Sequence, residues 1–437
     1  MIVRESYINR VRKALSRNPV VALVGPRQCG KTTLARAFLD PTGAGYFDLD
    51  DPAVRQAFEQ PMTVLRGLRG LVVIDEAQRQ PALFPVLRVL ADRPERPAIF
   101  LILGSASPEL SRQSAESLAG RVETIEMHGF TLEEVSAPAQ DTLWRRGSFP
   151  RSFLAAEEDE SAAWRRNFIQ TFLERDLAVL GFGLSPALMG RFWAMLAHYH
   201  AQVWNGSEIA AALGIAPNTA RAYLDALEQT FLIRRLQPWH ANLGKRLVKT
   251  PRIYFRDSGL FHSLCGVASE AALLTHPKVG ASWEGFALEE ILRAWRPAQA
   301  WFYAVHSGPE MDLVMEVDGR RIGVEFKRAD APVATRSMHR AKADAALDEV
   351  WVVYPGTLAY ELADGITARP LAECVAPSPG LRTAGPTELR EDPAALPYDR
   401  PDFKGGPSPW RRTLSAPPRR ERSGQRRAHV GGAIDAN

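Results

Sequence analysis

The sequence predicts an α/β protein of several domains. A parallel sheet carries a phosphate-binding loop, a helical segment follows, then a second α/β domain and a polar tail. Three observations predict this. Short apolar strands alternate with helices over the first 135 or so of 437 residues. The octapeptide GPRQCGKT follows the first of those strands and opens a helix. A second run of strands appears after a helix that begins near Gly280. The expected boundaries are 1–140 for the nucleotide domain, 141–250 for the helical segment, 251–376 for the second α/β domain and 377–437 for the tail.

In chain order, PVVALVG, AGYFDLD, LVVIDE, AIFLILGSA and VETIEM read as strands, with a helix expected over Lys31–Leu39. Strands this uniformly apolar belong to a sheet covered on both faces. Residues 148–238 turn helical and contain GSEIAAALGIAPNTARAYLDALEQ followed by FLIRRLQPW, the order of a winged helix-turn-helix. DNA and another protein are equally admissible partners, because the outer face of the second helix offers Arg221 beside Asp225 and Glu228. The tail from Pro401 gathers Pro, Gly and Ser with eight basic and three acidic residues, which accounts for the net charge of +4. That composition predicts disorder, with arginines able to meet nucleic-acid phosphates.

The apolar runs are far shorter than the roughly 20 residues that cross a bilayer. With three cysteines, Cys29, Cys265 and Cys374, in no close pair, the expectation is a cytoplasmic protein with reduced thiols and no membrane partner. Self-assembly into a homo-oligomer is left open.

The phosphate loop carries the strongest chemical signal. Gly25, Pro26, Arg27, Gln28, Cys29, Gly30, Lys31, Thr32 and Thr33 are the expected nucleotide-binding residues. The glycines let backbone N–H groups face phosphate oxygens, Lys31 reaches the outer phosphates, and the Thr32 hydroxyl ligates Mg²⁺. Asp75 ends an apolar strand, where it holds the Mg²⁺ shell, and the adjacent Glu76 orients the attacking water. No N-K-x-D base-reading motif is present, so ATP is the expected nucleotide. Ser105 and Ser107 end the AIFLILGSAS strand as γ-phosphate sensors or as helix caps. Arg121 is an arginine finger or sensor, or else a surface residue.

In the second α/β domain, Asp318-Gly319 between two alternating runs signals a tight hairpin. That register sets Asp312 opposite Glu325, with Cβ atoms about 4.5–5.5 Å apart. Either the two carboxylates share a divalent ion, with Lys327 on the same face to position or activate a water, or the hairpin is simply polar, with a salt bridge between Glu325 and Lys327. On the preceding helix WEGFALEEILRAW, helical spacing turns Glu284 inward and Glu289 outward.

GPRQCGKTT, YFDLDDP, VVIDEAQ, LILGSAS and SLAGRV, in this order and spacing, resemble the AAA-type ATPases of bacteria and archaea that carry a C-terminal domain of uncharacterised function. The resemblance runs over residues 5–375 and takes in FLERDL and PRIYFRDSGL. Glu284, Asp312 and the E-x-K of Glu325 and Lys327 resemble the restriction-endonuclease-like fold, whose signature binds Mg²⁺ and cuts phosphodiesters. Met311 stands where that signature has proline. Together these imply an ATPase whose conformational switch acts on a nuclease-like, DNA-acting domain. The alternative is an ATP-dependent binding switch that cuts nothing.

Overall fold

The structure, a computed structural model, describes residues 2–39, 45–94, 97–105, 116–179, 182–239 and 248–376. The chain divides into a unit of Met1–Thr383 and a second unit, Ala384–Asn437. The expected disordered tail, 377–437, lies outside the described residues, as does Ser107.

The amino-terminal part contains β1 (Val20–Gly25), β2 (Tyr46–Asp48), β3 (Gly70–Asp75), β4 (Ala98–Ser105) and β5 (Val122–Glu126). They form one sheet in the order β2-β3-β4-β1-β5, with every neighbouring pair parallel. Alternate residues of the central strands feed two cores. Val20, Ala22, Ile74 and Ile102 face one side, and Val21, Leu23, Val73 and Leu103 face the other. Double-sided burial is why these strands read as continuous apolar runs. The helix after the loop is shorter than expected, Lys31–Arg36.

Beyond it the chain forms helices Gly206–Leu213 and Pro217–Gln229, joined through Gly214 in the left-handed region at φ 67°. Strands β6 (Gln202–Val203), β7 (Ile233–Pro238) and β8 (Arg252–Phe255) accompany them. β7 pairs antiparallel with β8, so the expected boundary at residue 250 falls between paired strands. β7 also pairs in parallel with β9 (Ala300–Ala304) through Gln237 and Trp301. The helical segment and the last domain therefore share one sheet of nine strands, ordered β13-β14-β12-β11-β10-β9-β7-β8-β6. Its remaining strands are β10 (Glu310–Val317), β11 (Arg320–Phe326), β12 (Glu349–Tyr354), β13 (Tyr360–Ala363) and β14 (Ile366–Pro370).

The hairpin register is the expected one: Leu313 pairs with Val324 and Val317 with Arg320. Asp318 and Gly319 take φ of 50° and 75°, the two positive values that a turn matching the twist of the strands requires.

Helix Val279–Trp295 differs from expectation. It is buried nearly all round, and Glu289, expected outward, is 2% exposed. Glu289 pairs with Arg234, with Arg256 at 3.2 Å and with Arg293 at 3.7 Å. Arg256 continues to Glu126 at the end of β5, 2.7 Å away. Arg234 and Arg256, which precede the helix in the chain, cover the face that carries Glu289, and helical periodicity cannot register that cover. No helix among the described residues is long and apolar enough to cross a membrane.

Candidate nucleotide site

β1 delivers the phosphate loop to the carboxyl edge of the first sheet, beside the end of β4, with Gly25 in register with Ser105. A Cβ on Gly25 would lie 2.0 Å from the Met127 carbonyl oxygen, so the loop closes this tightly only with glycine. Gly30 turns the chain into the helix at φ 101°. Lys31 folds back so that Nζ donates to the carbonyls of Gly25 (3.0 Å) and Pro26 (2.9 Å). Thr32 Oγ1 donates to Asp75 Oδ2 at 2.7 Å, and Tyr46 OH donates to the same oxygen at 3.0 Å. Thr32 and Asp75 thus already lie as close as two oxygens of one Mg²⁺ shell need to lie, and they fit that ion.

Glu76 has left-handed backbone, φ 52°, and its N–H donates to Asp75 Oδ1 at 2.9 Å. Burial pushes its carboxyl up from the usual carboxylate range, and the charges of Lys31 and Arg27 oppose that rise. Gln78 Nε2 donates to its Oε2. Arg27, Gln28, Cys29, Gly30, Lys31, Thr32, Thr33, Glu76 and Ser105 line a single cavity of about 770 Å³, a size suited to a nucleotide. Ser105 Oγ is buried without a hydrogen-bond partner among the described residues.

Arg121 lies away from the phosphate loop. It sits at the opposite end of β1, where its carbonyl accepts from Val20 N. That is about 16 Å from the loop at 3.3 Å per residue. Its guanidinium is held by Asp92 at 2.6 and 3.0 Å.

Other residues of the cavity carry no local signal in the sequence. Arg4, 7% exposed, spends all five N–H donors, on the carbonyls of Cys29, His128 and Gly129 and twice on Glu134. It braces the phosphate loop from behind. Arg151, Arg175 and Asp176 enter the cavity from the helical segment. Asp176 ends a π-helical turn, Phe172–Asp176, and pairs with Arg27. FLERDL was visible as a motif, but nothing in its spacing pointed to the loop.

The second candidate site also assembles, with a difference. Tyr254 OH donates to Glu284 Oε1 at 2.7 Å, and Lys327 Nζ to Glu325 Oε1 at 2.7 Å. Arg252 stands among the carboxylates, with Nη1 3.0 Å from Asp312 Oδ1 and 3.9 Å from Glu284, and Nη2 2.6 Å from Glu310. Asp312 Oδ2 accepts from Phe326 N at 3.2 Å. Burial and the neighbouring Asp312 charge push the carboxyls of Glu284 and Glu325 upward. A guanidinium from β8 thus supplies positive charge at the place where Glu284, Asp312 and Glu325 are expected to share an ion. Among the described residues no group of three His, Cys, Asp or Glu is placed to hold a metal. Arg252 lies 60 residues before Asp312, a distance over which no local pattern could have paired them.

Comparison with known proteins matches three segments of the chain. Residues 17–136 match an AAA domain. Residues 138–271 and 279–374 match two domains of unknown function, DUF8612 and DUF4143. Two uncharacterised mycobacterial proteins, Rv2008c of Mycobacterium tuberculosis and Mb2031c of Mycobacterium bovis, are each 49% identical over 370 residues, 85% of this chain and 84% of theirs. Among solved structures, a Walker-type ATPase of Pyrococcus abyssi aligns with TM-score 0.43 and 14% identity over 61% of this chain and 96% of its own. The Holliday junction branch migration motor RuvB of Thermotoga maritima aligns with TM-score 0.28 and 18% identity over 54% and 90%. The chain belongs to one family with the two mycobacterial proteins, and its amino-terminal part is an AAA-type ATPase domain.

Proposed function

We propose that this protein binds ATP with Mg²⁺, hydrolyses it slowly, and uses the cycle to switch the arrangement of its carboxyl-terminal parts. One observation carries the reading: Lys31, Thr32, Glu76 and Ser105 line one cavity, with Asp75 in hydrogen-bond contact with Thr32. Mg²⁺ held by Thr32 and Asp75 would neutralise phosphate charge. Lys31 exchanges its two loop carbonyls for phosphate oxygens. Glu76, its carboxylate shielded from bulk water, orients the attacking water.

The helices Gly206–Leu213 and Pro217–Gln229 with the β7–β8 hairpin read as a winged helix, and the last domain as restriction-endonuclease-like. β7 joins the two in one sheet, which suits transmission of a domain movement. Asp225 and Glu228 of the second helix are engaged by Arg235 of β7, which supports a role within the chain over reading of a DNA groove. Arg252 among the carboxylates favours a last domain that recognises a partner without cutting.

The test is ATP binding and turnover by the purified chain. Lys31→Ala should abolish tight binding. Glu76→Gln should keep binding and stop turnover, and normal turnover in that variant would remove Glu76 from its role. Incubation with DNA or RNA and Mg²⁺, with and without ATP, should leave the nucleic acid intact. Cleavage that disappears in Lys327→Ala would instead establish the nuclease.

A further inference from the structure

Arg121 lies away from the phosphate loop, which leaves Lys31 as the basic side chain assigned so far to the phosphate oxygens. Arg27 lies in the phosphate loop and lines the same cavity as Lys31, Glu76 and Ser105. Its charge acts on the Glu76 carboxylate. Its side chain is 15% exposed, and Nε is buried without a hydrogen-bond partner among the described residues. Nη1 is held by Asp176, whose side chain is 4% exposed. A buried arginine with one edge fixed by a carboxylate and another edge unsatisfied is a donor awaiting an acceptor.

The carboxylate is delivered by an unusual piece of backbone. Phe172–Asp176 is a π-helical turn inserted after helix Glu158–Thr171, and such insertions recur at functional sites. Phe172 is buried beside Trp193 with ring centroids 5.1 Å apart, which anchors the turn in the core of the helical segment. Asp176 is thus a fixed point of the second domain reaching into the first.

We propose that Arg27 is the catalytic cation of ATP hydrolysis and that Asp176 is its positioning residue, so that turnover requires the helical segment to be docked on the phosphate loop. This rests on the ATPase reading above. In the step itself the water oxygen forms a bond to the terminal phosphorus. The bond to the bridging oxygen breaks with its electron pair remaining on ADP. The water proton passes through Glu76 to the departing inorganic phosphate. Arg27 donates to the terminal phosphate oxygens through the edge left free by Asp176. Because Asp176 belongs to the helical segment, the same ion pair makes hydrolysis sensitive to that segment's position.

The experiment compares steady-state ATP hydrolysis and ADP binding of the full chain with Arg27→Gln, Asp176→Asn, Asp176→Glu, the Gln/Asn double variant and Arg175→Gln. Arg27→Gln should lower kcat roughly 100-fold or more, as loss of an arginine aimed at the phosphoryl group does. Asp176→Asn should lower kcat at least about tenfold while ADP affinity changes less than about threefold, and Asp176→Glu should restore part of it. The double variant should be no slower than Arg27→Gln alone, since Asp176 acts through Arg27. Effects that multiply, an Asp176→Asn enzyme with unchanged kcat, or kcat and ADP affinity falling together without rescue by glutamate would each overturn the proposal. A greater loss of kcat in Arg175→Gln than in Arg27→Gln would move the role to Arg175 and overturn it too. A wild-type chain that binds no ATP would overturn the ATPase reading itself, a result distinguishable from all of these.

Discussion

Replacing Arg252 with methionine removes the guanidinium from among Asp312, Glu310 and Glu284 while keeping much of its apolar stem. The Arg252 and Asp312 side chains are 9% and 10% exposed, so the variant leaves a buried carboxylate without its partner. Breaking a buried pair in this way costs about 3–5 kcal/mol. The stacking of Arg252 over the Phe302 ring, 4.8 Å from its centroid, is lost as well. The freed carboxylates then resemble an ion site. Mn²⁺ at 100 times its dissociation constant would return about 2.7 kcal/mol to the variant. Adding Asp312→Asn should return part of the loss without any ion, because the uncompensated charge is gone. The assay is thermal unfolding of the full chain with EDTA and with millimolar Mn²⁺. Mn²⁺ should raise the Arg252→Met midpoint by more than the wild-type midpoint, since the Thr32–Asp75 pair is common to both proteins. Equal Mn²⁺-dependent rises in both proteins would show that the guanidinium does not stand in the ion's place.

Further outcomes follow from the same contacts. Arg121→Ala should leave ATP turnover unchanged in dilute protein, measured by phosphate release. A tenfold loss there would mean that Arg121 serves a neighbouring copy. Burial lowers the imidazoles of His200 and His262 to about 3 and about 4. Both are neutral when folded, so their contribution is complete above pH 6.5 and is lost as pH falls below it. By pH 5 the loss is up to roughly 2 kcal/mol for each. His262→Asn should flatten the fall in melting temperature between pH 7 and pH 5, and an unaltered slope would rule this out. Gly319→Val, at φ 75° in the hairpin turn, should cost about 1–3 kcal/mol in chemical denaturation. A neutral substitution would mean that the turn does not hold the register.

The sequence by itself determined those features that depend on neighbours in the chain. GPRQCGKT had to be a phosphate loop because its glycines and Lys31 are spaced for one turn of backbone at a helix start. The Asp318-Gly319 turn fixed a register that put Asp312 across from Glu325, and alternation of apolar residues identified the strands that flank it. What the sequence left undetermined depends on chain segments brought together from far apart. Arg252 meets Asp312, Asp176 meets Arg27, and Glu289 meets Arg256 only after separations of 60, 149 and 33 residues are closed. A charged residue read along the chain looks solvated. Whether it is a counter-ion or a free cation is settled by which element covers it. The same holds for Arg121, whose place before a strand was legible but whose distance from the phosphate loop is set by the direction in which β1 and β5 run side by side.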